Sequence, residues 1–252
     1  LGDDVSSNLL ILHTWPPGCA GRALDRAVFA ANVPEARRLV LNDPMHGLRS
    51  RFPAALDPLS EELRVVTGRL PFGYLDGQRD RILHVCVISD PELAFLRFAA
   101  CLSSVSDAHV INATGRAGVD LPLTDPELLV ARLLELQPVR ARRIGVATRL
   151  CAGLPCLSDR PVDQAQLAAA LANLGRVNAL CGREEHLDAF ARYLADVMGW
   201  PAPERGLAEK LTAPILAPSE LSPKLRDRLR QALDMDIRLH AAVSGELGAC
   251  VA

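Results

Sequence analysis

The stretch RILHVCVIS, Arg81–Ser89, constrains the fold more than any other part of the chain. It is short, rich in β-branched residues and apolar on both alternating sets of side chains. That suits a strand buried on two faces and not one with a wet side. It runs directly into SDPELAFLRFAACL, where Asp90 is placed to cap a helix, Pro91 suits the first helical position and Glu92 suits the helix dipole. The same device recurs at Asp125-Pro126-Glu127 and Ser222-Pro223, predicting helices over 126–137 and 223–243.

Further strands are expected at Asn8–Trp15, at Leu63–Gly68 (LRVVTG) and at Arg176–Cys181. Helices are expected from Arg22 to about Ala31, and over Glu184–Met198, where Leu187, Phe190, Leu194 and Val197 recur at helical spacing. Strands alternating with helices predict an α/β fold, a mostly parallel sheet with helices on both faces. Residues 201–222, rich in Pro and Gly, read as a connecting loop, so the expectation is one domain over 1–252.

Composition narrows the function classes. With 252 residues and 49 % apolar content, the chain can bury a large core, and disorder is excluded as its general state. A net charge of −2 argues against a general nucleic-acid binder, although RARR at Arg140–Arg143 is a local basic run. The seven cysteines include no C-x-x-C pair, and the six histidines include no H-x-x-x-H pair, so no metal site is expected. Several cysteines sit in apolar runs, as reduced thiols do. No signal peptide or membrane span is evident, which sets a cytoplasmic location and no membrane partner as the expectation.

In a parallel sheet the ligand site lies at the carboxyl ends of the strands. Three segments meet there: PGCAGRAL (Pro17–Leu24), GRLPFG (Gly68–Gly73) and the Ser89–Asp90 junction. In that order they resemble the carbohydrate-type sulfotransferases that use 3′-phosphoadenosine 5′-phosphosulfate (PAPS). That family's first loop reads H-I-P-K-[TC]-[AG]-G-T-S-L, and here His13 precedes a stretch matching at Cys19, Ala20, Gly21 and Leu24. The family's G-H-x-P-[FY]-G is similar to GRLPFG, and its L-R-D-P-V-x-R-x-x-S to ISDPELAFLR at Ile88–Arg97. Its N-x-Q-T-R-x-L-x-G resembles GVATRLCAG at Gly145–Gly153, through Thr148, Arg149 and Gly153. The strand-helix ending in L-G-W resembles the segment closing at MGW, and LRDRLRQALDMDIRLHAAV resembles the closing helix.

The resemblance implies a P-loop-like sulfotransferase fold, PAPS or adenosine 3′,5′-bisphosphate as the cofactor, no metal, and sulfuryl transfer to a hydroxyl of a sugar or similar small molecule. It assigns Gly18, Cys19, Ala20, Gly21, Arg22, Ala23, Ser89 and Arg97 to the cofactor, and puts Arg69 at the position of the catalytic base. The chemical positions differ from the family. Gly18 stands for the loop lysine, Arg22-Ala23 for Thr-Ser, Arg69 for a histidine, and Gly145 and Ala147 for Asn and Gln. Ser89 and Arg97 look like the family's 3′-phosphate arginine and serine exchanged.

Two assignments follow. In one, Arg22, Arg69 and Arg97 rebuild a basic cleft for PAPS or another anion. In the other, the fold persists as an inactive scaffold or partner protein. There Arg22 pairs with Asp25 at i+3, Arg97 lies on a solvated helix face and Arg69 bonds a nearby carbonyl. An arginine cannot serve as a base at any ordinary pH. His84 reads as a core histidine, and Glu184–Glu185 as acids suiting a helix dipole.

Overall fold

The computed structural model describes residues 9–16, 18, 20–41, 62–77, 81–103, 121, 124–136, 144–155 and 161–243. Cys19 and the Arg140–Arg143 run lie outside them. Five strands form one wholly parallel sheet: β1 (Leu10–Thr14), β2 (Arg38–Leu41), β3 (Val65–Gly68), β4 (Ile82–Ile88) and β5 (Ala179–Arg183), in the order β2-β3-β1-β4-β5. β1 is central, with Thr14 paired to Gly68 on one side and Cys86 on the other, so the three ends expected to meet do so.

The alternation of β4 explains the layers. Val85 and Val87 join Ile11, Val65 and the helical segments 21–32 and 187–198 in one core, while Cys86 and Ile88 pack on the opposite face against the helices 146–151, 164–174 and 234–242. Here α1 is Gly21–Leu24, which continues through a wide π turn, Asp25–Phe29, to Ala30–Asn32. The other helices are α2 (Pro91–Ser103), α3 (Pro126–Glu135), α4 (Val146–Cys151), α5 (Gln164–Leu174), α6 (Leu187–Met198), α7 (Pro223–Ala232) and α8 (Asp234–Ala242). A third core, led by Phe95, Leu129, Leu133 and Leu229, joins α2, α3 and α7.

Several expectations need correction. The final helix is broken: α7 stops at Ala232, and Leu233 turns the chain before α8. Ser222 does not cap with its hydroxyl; its amide instead donates to Glu127 Oε1. The last strand begins at Ala179 and not at Arg176, and Glu184–His186 forms a 3-10 turn ahead of α6. Asp90 and Asp125 do cap, accepting from the Leu93 and Leu128 amides at 3.1 and 2.9 Å. No described helix is long and apolar enough to cross a membrane.

Candidate functional site

A cleft of about 900 Å³ opens beside the carboxyl end of β1. α1 supplies Arg22, Ala23, Arg26 and Ala27 to one wall. Arg69 follows β3, Arg97 and Phe98 come from α2, and residues 201–212 form the outer wall. Five cations (Arg22, Arg26, Arg69, Arg97 and Lys210) face one carboxylate, Glu204, among the described lining residues. In a chain with net charge −2, that sign reversal marks a place where an anion is attracted. Arg22 and Arg26 stand one helical turn apart, a like-charge spacing that costs a few tenths of a kcal/mol until a counter-ion arrives.

The loop is shaped by close backbone contacts. Gly18 has φ +81°, and a Cβ there would stand 2.6 Å from the Ala94 carbonyl oxygen of α2. Gly21 lets α1 start against Trp15, whose Cβ would lie only 2.1 Å from a side chain at that position. The Arg69 guanidinium sits 6.0 Å from the Trp15 ring centre, within cation–π range. The family resemblance puts Arg69 at a base position; in the structure its side chain lines the cleft.

Below the loop, one hydroxyl organises a buried group. The Trp15 indole donates to Thr67 Oγ1 at 3.1 Å, and His13 Nδ1 lies 3.0 Å from the same oxygen. His13 Nε2 is buried without a hydrogen-bond partner among the described residues. Burial drives the His13 imidazole down to about 3, so it is neutral at physiological pH. Burial also raises the Asp25 carboxyl, against the opposing pull of Thr67, Arg38, Arg22 and Arg26. Arg22 therefore acts on Asp25 through its field, and no ion pair between the two is formed among the described residues.

Ser89 and Arg97 do converge, but on a carboxylate of the chain itself. Ser89 Oγ donates to Glu184 Oε2 at 2.5 Å, and Arg97 Nη1 lies 2.5 Å from Glu184 Oε1. Glu184 and Glu185 open the 3-10 turn after β5 as first-turn acids, as expected, and Glu184 is in addition buried. Arg97, expected on a solvated helix face or a phosphate, is largely enclosed and held by this acid.

Compared with known proteins, the chain matches no family model and no curated protein. The site is thus defined by its own geometry. Arg22, Arg69 and Arg97 share one cleft, with Gly18 and Ala23 also on its lining. Ala20 and Gly21 are buried at the base of α1, and Ser89 lies in a smaller hollow with Pro16, Ala94 and Asp236. Thr148 and Arg149 are buried on α4, where Asp236 of α8 accepts from the Thr148 amide at 2.9 Å and its hydroxyl at 2.7 Å. Among the described residues, no group of three metal-ligating side chains is arranged around a common point.

Sequence reasoning missed Arg26, Glu204, Lys210 and Glu184. Arg26 was signalled by its position four residues after Arg22. The other three depend on how the 184–212 segment folds back toward the loop.

The outer wall hangs from one acid. Asp188 of α6 accepts from the Gly206 and Leu207 amides at 2.8 and 2.9 Å, and those bonds hold its carboxyl below the usual range. Leu207 itself is buried in the α1–α6 core. Asp188→Ala is expected to cost about 1 kcal/mol, discounted for the wetness of the site, because two amides lose their acceptor. Amide hydrogen exchange is expected to accelerate at Gly206 and Leu207 and not on α1. Unchanged protection at both amides would refute this role.

Proposed function

We propose that the protein binds an anionic ligand of the adenosine 5′-phosphate or 5′-phosphosulfate kind in the basic cleft, and that it does so as a binding protein derived from a PAPS-type sulfotransferase scaffold and not as a sulfuryl transferase. The observation that carries this reading is the convergence of Arg22, Arg26 and Arg69 on one cleft beside the end of β1. The five-stranded parallel sheet and the loop–helix that follows β1 agree with it.

Sulfuryl transfer needs a group that takes the acceptor proton and a cation on the departing charge. The expected base position holds Arg69, whose guanidinium stays protonated. His13 is enclosed, 5.0 Å from the Phe29 ring, with its Nδ1 committed to Thr67. The backbone at Gly18 is unsuited to the missing lysine. One observation favours the second reading, retained transfer to a small-molecule or carbohydrate hydroxyl from PAPS. Glu204 lies on the cleft wall, 3.5 Å from Lys210 and largely exposed, where a carboxylate can accept a proton.

Calorimetric titration with adenosine 5′-monophosphate and adenosine 5′-phosphosulfate tests the binding reading. Binding is expected to weaken with salt, as exposed charge contacts do. Arg22→Ala and Arg69→Ala are each expected to lower affinity about five- to tenfold, equivalent to about 1 kcal/mol per charge contact. Absence of binding at millimolar ligand refutes the proposal. Transfer of labelled sulfate that is abolished by Glu204→Gln establishes the second reading instead.

A further inference from the structure

Two donors from separate places, the Ser89 hydroxyl at the end of β4 and the Arg97 guanidinium on α2, are both directed at one carboxylate from the turn after β5. Arg97 also lines the large cleft, so the cluster borders that cleft through its guanidinium, while Ser89 opens on the smaller hollow beside it. A hydroxyl and a guanidinium converging at this distance form a receptor for an oxyanion. Glu184 meets the charge of that receptor without using all its donors, since Arg97 Nε has no hydrogen-bond partner among the described residues. A tetrahedral anion offers more acceptor oxygens than a carboxylate does.

We propose that Glu184 is a built-in anion that occupies the Ser89–Arg97 receptor and thereby restricts the cleft to ligands carrying a single anionic group at the Arg22 end. On the binding reading above, on which this choice of nucleotides rests, the ligand class is a nucleoside 5′-monophosphate or 5′-phosphosulfate and not a 3′,5′-bisphosphate. A second phosphate approaching Arg97 meets the Glu184 charge at close range, in a site where solvent screens little. The discrimination is thus achieved by repulsion from a fixed carboxylate.

The test uses Glu184→Gln, which keeps the shape and removes the charge, and Glu184→Ala, which empties the position. Wild-type protein is expected to bind adenosine 5′-monophosphate at least tenfold more tightly than adenosine 3′,5′-bisphosphate. Glu184→Gln is expected to raise bisphosphate affinity at least tenfold more than it raises monophosphate affinity. A second arm needs no nucleotide. Thermal melts in sodium sulfate and in sodium chloride at equal ionic strength are compared for wild type, Glu184→Ala and Glu184→Ala combined with Ser89→Ala.

Sulfate is expected to raise the Tm of Glu184→Ala several degrees more than that of wild type, and to lose that excess in the double variant. If Glu184→Ala is poorly folded without salt, the same titration reads sulfate-dependent refolding by circular dichroism. A sulfate response equal to wild type, or no refolding, overturns the assignment of Glu184. If no nucleotide binds to any variant, the binding reading fails while the sulfate arm still decides the role of Glu184. If wild type prefers the bisphosphate, the binding reading stands and this inference falls.

Discussion

Gly18→Lys, which supplies the lysine found in the loops this one resembles, is expected to destabilise the protein by about 2–5 kcal/mol and to produce no sulfuryl transfer. Two costs add. A side chain at φ +81° costs about 1–2 kcal/mol, because the left-handed region crowds any Cβ. The new Cβ also stands 2.6 Å from the Ala94 carbonyl oxygen, whose own backbone is fixed in the first turn of α2 by the Ala94 amide donating to the Asp90 carbonyl at 2.9 Å. Overpacking against backbone of this kind costs about 1–3 kcal/mol. Urea denaturation measures the sum. A loss below about 0.5 kcal/mol, or recovered sulfate transfer, would show that the loop accepts the lysine after all.

Acidification is expected to be nearly as damaging. His13 has an ordinary value near 6.5 when unfolded and about 3 when folded. Between those limits the unfolded chain binds the extra proton, so the stability His13 contributes is present above pH 6.5 and is lost as pH falls toward 3. From pH 7 to pH 4 the loss from this one residue is about 3 kcal/mol, at 1.36 kcal/mol per unit. Burial lowers the His84 imidazole as well, against the raising effect of Asp76 3.0 Å away, and so adds in the same direction. Asp25 and Asp236 oppose it. Burial raises both carboxyls, so their folded forms take up protons first and gain stability as pH falls through the window between their unfolded and folded values. Urea midpoints at pH 7, 5.5 and 4 measure the net slope, and His13→Leu is expected to flatten it. Equal slopes in the two proteins would remove His13 as the cause.

The parts of the fold visible in the sequence were those with local causes. β4 and α2 are announced by a β-branched run, an Asp cap and a proline at adjoining positions. α5 carried a comparable signal, since the Asp163 side chain accepts from the Gln166 amide while Gln166 reaches back to the Asp163 amide. Its alanine-rich pattern gave little periodicity to notice. β2 was not visible because it is a four-residue edge strand with no fully buried side chain, so it has no apolar period. The break at Leu233 has no Gly or Pro to mark it. At the site, the meeting of Arg22, Arg69 and Arg97 followed from which loops share one end of the sheet. Glu184 did not follow, because nothing near it in the chain shows that Ser89 and Arg97 lie across the β4–β5 pairing from it.

The Asp188 tether gives the cleft two unlike jaws. The α1 jaw is rooted in the sheet through Ala20, Leu24, Val28 and Phe29, all fully enclosed. The opposite jaw, residues 201–212, is suspended from α6 by two amide bonds and by Leu207, with the Lys210–Glu204 pair on its wet side. On the binding reading proposed above, adjustment to a ligand's bulk falls to the suspended jaw, while the backbone that carries Arg22 and Arg26 keeps its place on the sheet.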